Sequence, residues 1–159
     1  MQSKPATLTA EEIETRFRNS YHSYQYYFVE FFTEHLADCS RVFGGDLQLM
    51  LVLALMGQMH LKALVAQKQN PDHRAQIVRE QKITASRIAD ASSIPRETVR
   101  RKLVKLEQLG WVEQEASGAW RVTIAEHGSN ARRDLTELDQ RAMVRIAAFY
   151  QKLYCLIAV

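Results

Sequence analysis

Residues Ile83–Thr123 read ITASRIADASSIPRETVRRKLVKLEQLGWVEQEASGAWRVT, and this stretch decides the fold. A first helix is expected over Ala85–Ser92, with Ile88 and Ala89 turned inward. Ser92-Ser93-Ile94-Pro95 breaks it. Proline lacks an N–H and clashes deep inside a helix, but it is tolerated at the first turn, so Pro95 starts a new helix rather than interrupting one. In that second helix Val99, Leu103, Leu106 and Leu109 recur at steps of four, three and three, which places them on one apolar stripe. Gly110 follows the last of them, where a helix needs a residue free to adopt positive φ. Beyond it, Trp111-Val112-Glu113 and Ala119–Thr123 read as two strands around a Ser117-Gly118 turn.

Helix, turn, helix and hairpin make the winged-helix layout, in which the second helix can lie in a DNA major groove and the hairpin can reach the flanking backbone. The charges are distributed to suit that use. Arg96, Arg100, Arg101, Lys102 and Lys105 stand against one acid, Glu97, which leaves the segment at +4. The whole chain is +3, so the remainder is −1, and the positive charge is local rather than general. With the apolar stripe turned inward, these cations are expected to point outward, where they would displace counterions from phosphate.

The run Ile94–Val112, IPRETVRRKLVKLEQLGWV, resembles the recognition helix of bacterial winged-helix regulators, and its R-E-T-V-x-R core is similar to that of the catabolite-activator superfamily. The resemblance implies that Arg96, Glu97 and Arg101 read base edges and that Thr98 touches phosphate. Arg paired with guanine is the commonest base contact, and Glu97 and Arg101, four apart, share a helix face, which agrees with that assignment. Arg100, Lys105 and the hairpin's Arg121 are expected on the DNA backbone. Three positions depart from the pattern. Pro95 replaces a serine cap, Ser93 stands where a turn glycine is common, and Lys102 occupies a position that is often apolar. The motif recurs in GntR-type, MarR-type and IclR-type regulators and covers about a quarter of the chain.

Outward from this unit the chain is helical. Thr9 and Glu12 form a capping-box pair for a helix expected to run to about Val42. Phe17–Phe43 carries nine of the fourteen aromatic residues, more than one buried stripe requires. The excess is expected to meet a partner subunit. Alternatively, Tyr24, Tyr27, Phe28, Phe31 and His35 line a pocket for a small-molecule effector. Gly44-Gly45-Asp46 is a break followed by an N-cap. Leu47–Ala66 is long enough to span a bilayer, but Gln48, Gln58, His60 and Lys62 interrupt it, so a helix buried on nearly all sides is expected. Asn70-Pro71-Asp72 should end it, and His73–Gln81 reads as a polar linker or short helix. After His127-Gly128-Ser129-Asn130 a last helix is expected to about Ile157, with the stripe Leu135, Leu138, Ala142, Ile146, Phe149, Leu153 and Ile157.

The expected organisation is therefore a disordered tail over 1–8, an N-terminal helical region over 9–72, a winged-helix unit over 73–126 and a terminal dimerisation helix over 127–159. Helices flanking a central winged helix resemble the MarR layout, which implies a homodimer. The fold class is mainly α with a small β-hairpin.

Other chemistry is thinly represented. His35 and Cys39 stand one helical turn apart with Glu34 and Asp38 beside them, a spacing that could hold a metal, but no second ligand pair accompanies them. Cys39 and Cys155 are too few for a disulfide scaffold, which points to a reducing cytoplasm. Phosphate-binding glycine loops, nucleophile elbows and metalloprotease motifs are absent from the sequence, so neither an enzyme nor a cofactor is expected. The expectation is a regulator that binds double-stranded DNA, without a membrane. The competing expectation is a winged-helix module used for protein interaction, since fold does not fix function.

Overall fold

A computed structural model describes residues 8–69, 82–126 and 128–158. The expected stop at Asn70-Pro71-Asp72, the linker His73–Gln81 and all but the last residue of the expected tail lie outside the described residues. The fold is mainly α with a small antiparallel hairpin, as the patterning indicated. Two compact units are formed, one by Met1–Asp38 with Leu138–Val159 and the other by Cys39–Glu137.

In the first unit, α1 (Ala10–Asn19) starts with the capping box: the Thr9 hydroxyl accepts from the Glu12 amide at 3.2 Å, and Glu12 accepts from the Thr9 amide at 2.7 Å. That amide bond, and then the Thr9 hydroxyl, hold the Glu12 carboxyl below its usual pKa. The single helix expected to Val42 is two. Ser20 leaves helical geometry at φ −114° and ψ 36°, and α2 (Tyr21–Val42) follows. Three- and four-residue spacing continues through such a one-residue break, so the pattern does not reveal it.

The last helix is also two. Ser129 caps α6 (Asn130–Asp134), Leu135 interrupts, and α7 (Thr136–Ile157) continues. In the first unit α2 and α7 meet through Phe31 and Phe149, stacked at 4.7 Å. Lys152 pairs with Glu30 and lies 5.5 Å from the Tyr27 ring centroid. Arg141 and Arg145 both bind the Asp38 carboxylate. Ile146, expected inside, is exposed, and Arg145 takes the inward place beside it. Asp38 is the one buried side chain among the described residues of this unit. Large apolar side chains stay in water, including Tyr26 at 62% and Val144 at 71% exposure.

The second unit has an apolar core. It is built from α3 (Leu47–Gln69), α4 (Ala85–Ser92), α5 (Arg96–Gln108) and the hairpin β1 (Val112–Gln114) with β2 (Trp120–Val122). Val112 pairs with Val122, Glu113 with Arg121 and Gln114 with Trp120. Ile83 adds a bridge to Trp120. A second pair, β3 (Ile124–Ala125) with β4 (Gly128–Ser129), was not expected. Only two residues long on each side, it is below the length at which strand alternation can be read.

The burial of α3 departs from expectation. Leu49, Val52, Leu53 and Met56 are buried, but Leu61, Leu64 and Val65 are exposed. Leu47–Ala66 is long and apolar enough to cross a membrane by length and composition alone. Here its N-terminal half instead supplies a core stripe that packs on α4, α5 and β2. The helix thus belongs with the winged-helix unit, although the sequence grouped it with the N-terminal region.

Truncating Met56 should remove core contacts and leave a cavity. Met56→Ala is expected to cost about 2–5 kcal/mol in urea unfolding. Leu61→Ala should change stability by no more than about 0.5 kcal/mol. Equal losses would mean that α3 is covered along its whole length.

Candidate nucleic-acid interface

The presentation of α5 begins with the turn before it. Thr84 caps α4, its hydroxyl accepting from the Arg87 amide at 3.3 Å. At the other end Ser92 Oγ donates to the Ile88 carbonyl at 2.7 Å and accepts from the Ile94 amide at 3.2 Å. Ser93 takes the left-handed conformation at φ 57°, doing with a side chain what the pattern usually assigns to glycine. Buried Ile94 then anchors the turn, and Pro95, with φ −54°, is the N-cap. Proline offers no side-chain cap, so α5 starts on backbone geometry alone.

Val99, Leu103 and Leu106 have no exposed surface, and they set the rotation of α5. Leu109, expected as the fourth member, is 47% exposed because the helix has already begun to close. The Gly110 amide donates to Glu107 at 2.8 Å and the Trp111 amide to Leu106 at 3.0 Å, with Gly110 at φ +71°. This paired closure turns the chain sharply into β1. Trp111 donates from its indole to Asp134 at 2.9 Å, and Asn130 donates to the Gly110 carbonyl at 3.0 Å, so α6 braces the base of the hairpin. The Arg133 guanidinium and then the Trp111 indole hold the Asp134 carboxyl below its usual pKa.

The cations of α5 fall into three groups. Arg96 and Arg100 face a groove of about 430 Å³ that is also lined by Thr84, Ser86, Gln114 and Trp120. Glu97 lies 3.7 Å from Arg100, and both are well exposed. Arg101, on the outward side, donates to Thr98 Oγ1 at 3.2 Å. Lys102 does not point outward as expected. Its ammonium sits 2.8 Å from both carboxylate oxygens of Asp46, and Lys105 lies 3.3 Å from the same carboxylate. Lys102 is 21% exposed and Lys105 53%. In the hairpin, Arg121 pairs with Glu113 directly across the strands at 2.9 Å. Local positive charge is therefore partly balanced within the fold.

Asp46 also caps α3, accepting from the Leu49 amide at 3.0 Å. Burial pushes its carboxyl pKa up, but the Lys102 ammonium, the Leu49 amide and the Lys105 ammonium outweigh that and hold it below the usual range. The sequence marked Asp46 as a cap and left its two cationic partners unseen, because they lie 56 and 59 residues away. Thr84, Ser86 and Gln114 were also missed. Thr84 could have been found as a threonine immediately before a helical pattern.

Of the five residues singled out for an effector pocket, Tyr27 and Phe31 line one cleft. Tyr24 and Phe28 belong to a ladder with Phe17 and Phe32, with centroids 5.1, 6.1 and 5.9 Å apart. Phe31 stacks on both His35 and Phe149. A cleft of about 240 Å³ between α2 and α7 takes in Tyr27 and Phe31, beside Arg145, Phe149 and Lys152. A wider, open concavity along α2 is lined by Tyr21, His22, Gln25, Tyr26, Val29 and Glu30. Among the described residues no cluster of His, Cys, Asp and Glu is close enough to hold a metal ion.

Residues 78–116 match the family model of the IclR helix-turn-helix domain. No curated protein and no solved structure matches the chain. The match covers α4, α5 and β1, and it supports a helix-turn-helix of the kind used by DNA-binding transcriptional regulators. It does not extend to a MarR-type or GntR-type assignment.

The depressed Asp46 pKa has a definite sign. Its folded value lies below the unfolded one, so its contribution to stability is present above the ordinary carboxylate range and is lost as pH falls through the folded value. The wild-type advantage over Asp46→Asn in denaturant unfolding should therefore shrink as pH drops below about 4. An advantage that stays constant down to about pH 2 would show that the ion pairs contribute nothing.

Proposed function

We propose that the chain is a homodimeric transcriptional regulator that reads an operator through α5. The observation that carries this reading is the outward face of α5: Arg96, Arg100 and Arg101 are held off the core by the fully buried Val99, Leu103 and Leu106. Arg96, Glu97 and Arg101 would read base edges, while Arg100 and Thr98 would hold phosphate. Arg121 and Lys105 would do so only by giving up Glu113 and Asp46.

Dimerisation is supported by the first unit, where among the described residues only Asp38 is buried and many large apolar side chains are exposed. Exposing such surface costs about 25 cal/mol per Å², so a second copy laid against α2 and α7 would be stabilised by covering it. The arrangement would be similar to that of MarR-type regulators, although the family match does not reach these helices. Two α5 helices would then meet successive major grooves of a palindromic site. Such a protein would work in the cytoplasm, with no membrane. An effector is the less supported part of this reading, because the cleft holding Tyr27 and Phe31 is smaller than the usual ligand site of about 300 Å³ or more.

Selecting bound duplexes from a random pool tests the DNA reading directly. On the selected duplex, Arg101→Ala should cost about 1–3 kcal/mol and relax preference at one base position. Arg100→Ala should weaken all duplexes alike and flatten the salt dependence by about 0.9. If both variants weaken selected and random duplexes by one common factor, α5 is not reading bases. An unenriched pool would move the protein-interaction alternative ahead. Sedimentation at micromolar concentration should give twice the chain mass, and a clean monomer with full operator affinity would end the dimer proposal.

A further inference from the structure

Among the described residues Asp46 is the one acid that holds two cations of α5 together, and its position is built rather than incidental. Gly44 and Gly45 take positive φ of +59° and +81°, and the Gly45 amide donates to the Ser40 carbonyl at 2.7 Å, which ends α2 and aims the next residue at the start of α3. The Asp46 carboxylate then has three partners, the Leu49 amide, Lys102 and Lys105, and is 19% exposed. The two lysines differ. Lys102 is mostly covered and touches both oxygens at 2.8 Å, whereas Lys105 is half in water and touches one at 3.3 Å. Lys105 is also four residues on from Arg101, one helical turn along the outward face. A phosphate reaching that face would compete with Asp46 for the same ammonium.

We infer that Asp46 is a positioning residue for DNA binding: through Lys102 it anchors α5 to the start of α3, and through Lys105 it withholds one ammonium from phosphate, so that this acid limits how tightly α5 holds any duplex. This rests on the DNA-binding reading above. Its consequence is that non-specific affinity is kept low while the base-reading arginines, which Asp46 does not touch, stay available. Because specific sites must compete with a large excess of other DNA, a lower non-specific background favours discrimination.

The experiment is a mutant cycle read by salt dependence. Wild type, Asp46→Asn, Lys105→Ala and the double variant are titrated with a labelled random-sequence duplex at several salt concentrations. Asparagine caps a helix as well as aspartate does, so Asp46→Asn removes the charge and keeps the start of α3. Wild type and Lys105→Ala should show the same slope of log affinity against log salt. Asp46→Asn should be steeper by about 0.9 and, at about 50 mM salt, tighter on the order of tenfold. The double variant should return to the wild-type slope. The inference is overturned if Lys105→Ala alone flattens the slope, since that lysine would already be on phosphate. It is equally overturned if the double variant keeps the gain, since the acid would then act by general repulsion. Should Asp46→Asn fail to fold, the Lys105→Ala slope still decides. Absence of binding by all four proteins would instead sink the DNA reading itself.

Discussion

The rotation of α5 about its own axis is the constraint on which everything else depends. Val99, Leu103 and Leu106 are completely buried against α3 and α4. A helix carries its side chains at fixed angular steps, so three buried positions leave no freedom in where the others point. Arg96 and Arg100 must face the groove beside the hairpin, Arg101 must face out, and Lys102 must lie along α3. Cost enforces the choice. Turning the helix by one residue would expose three aliphatic side chains and push arginines into an apolar core, where an unpaired charge cannot be tolerated.

The same rotation explains why a lysine can occupy a position that is usually apolar. At the edge of the buried stripe, Lys102 places its stem against α3 while its ammonium meets a carboxylate already present as the cap of that helix. One acid therefore serves two needs, the open amide of α3 and the half-buried cation of α5. Electrostatic accounting by charge counting alone is misleading here. The +4 of the segment is real as composition, but Asp46 and Glu113 come from elsewhere in the chain and lie against three of the basic side chains of α5 and the hairpin.

The two units are held by different physics. In the second, apolar side chains from three helices and a hairpin exclude water, and polar groups are confined to caps and edges. In the first, contact between α2 and α7 runs through ring stacking and through ion pairs such as Lys152 with Glu30 and the two arginines on Asp38. Glu30 is held below its usual pKa chiefly by Lys152, and Lys152 above its own chiefly by Glu30, as expected of a mutual pair. The part-exposed Lys152–Glu30 pair contributes little, and the pairs on buried Asp38 must offset the cost of desolvating their charges, so neither replaces an apolar core. The rings and aliphatic side chains of α2 and α7 that stay exposed are the apolar surface these contacts leave uncovered.

What the sequence determined by itself is whatever rests on near neighbours along the chain. The capping box at Thr9 and Glu12, the Asp46 cap, the Pro95 start, the Gly110 stop and the inward stripe of α5 are all set by residues within about a turn of one another, where spacing maps directly onto geometry. Breaks at Ser20 and Leu135 escaped because a single non-helical residue barely disturbs the spacing on either side. Only the tertiary structure decided which half of α3 is buried, that α3 belongs with the winged-helix unit, that Phe31 of α2 stacks on Phe149 of α7, and that Asp46 holds Lys102 and Lys105. Each of these depends on what lies across from a helix rather than along it. A periodic pattern records that a face is apolar, but the partner that covers it, or the acid that answers its charge, is supplied by chain dozens of residues away.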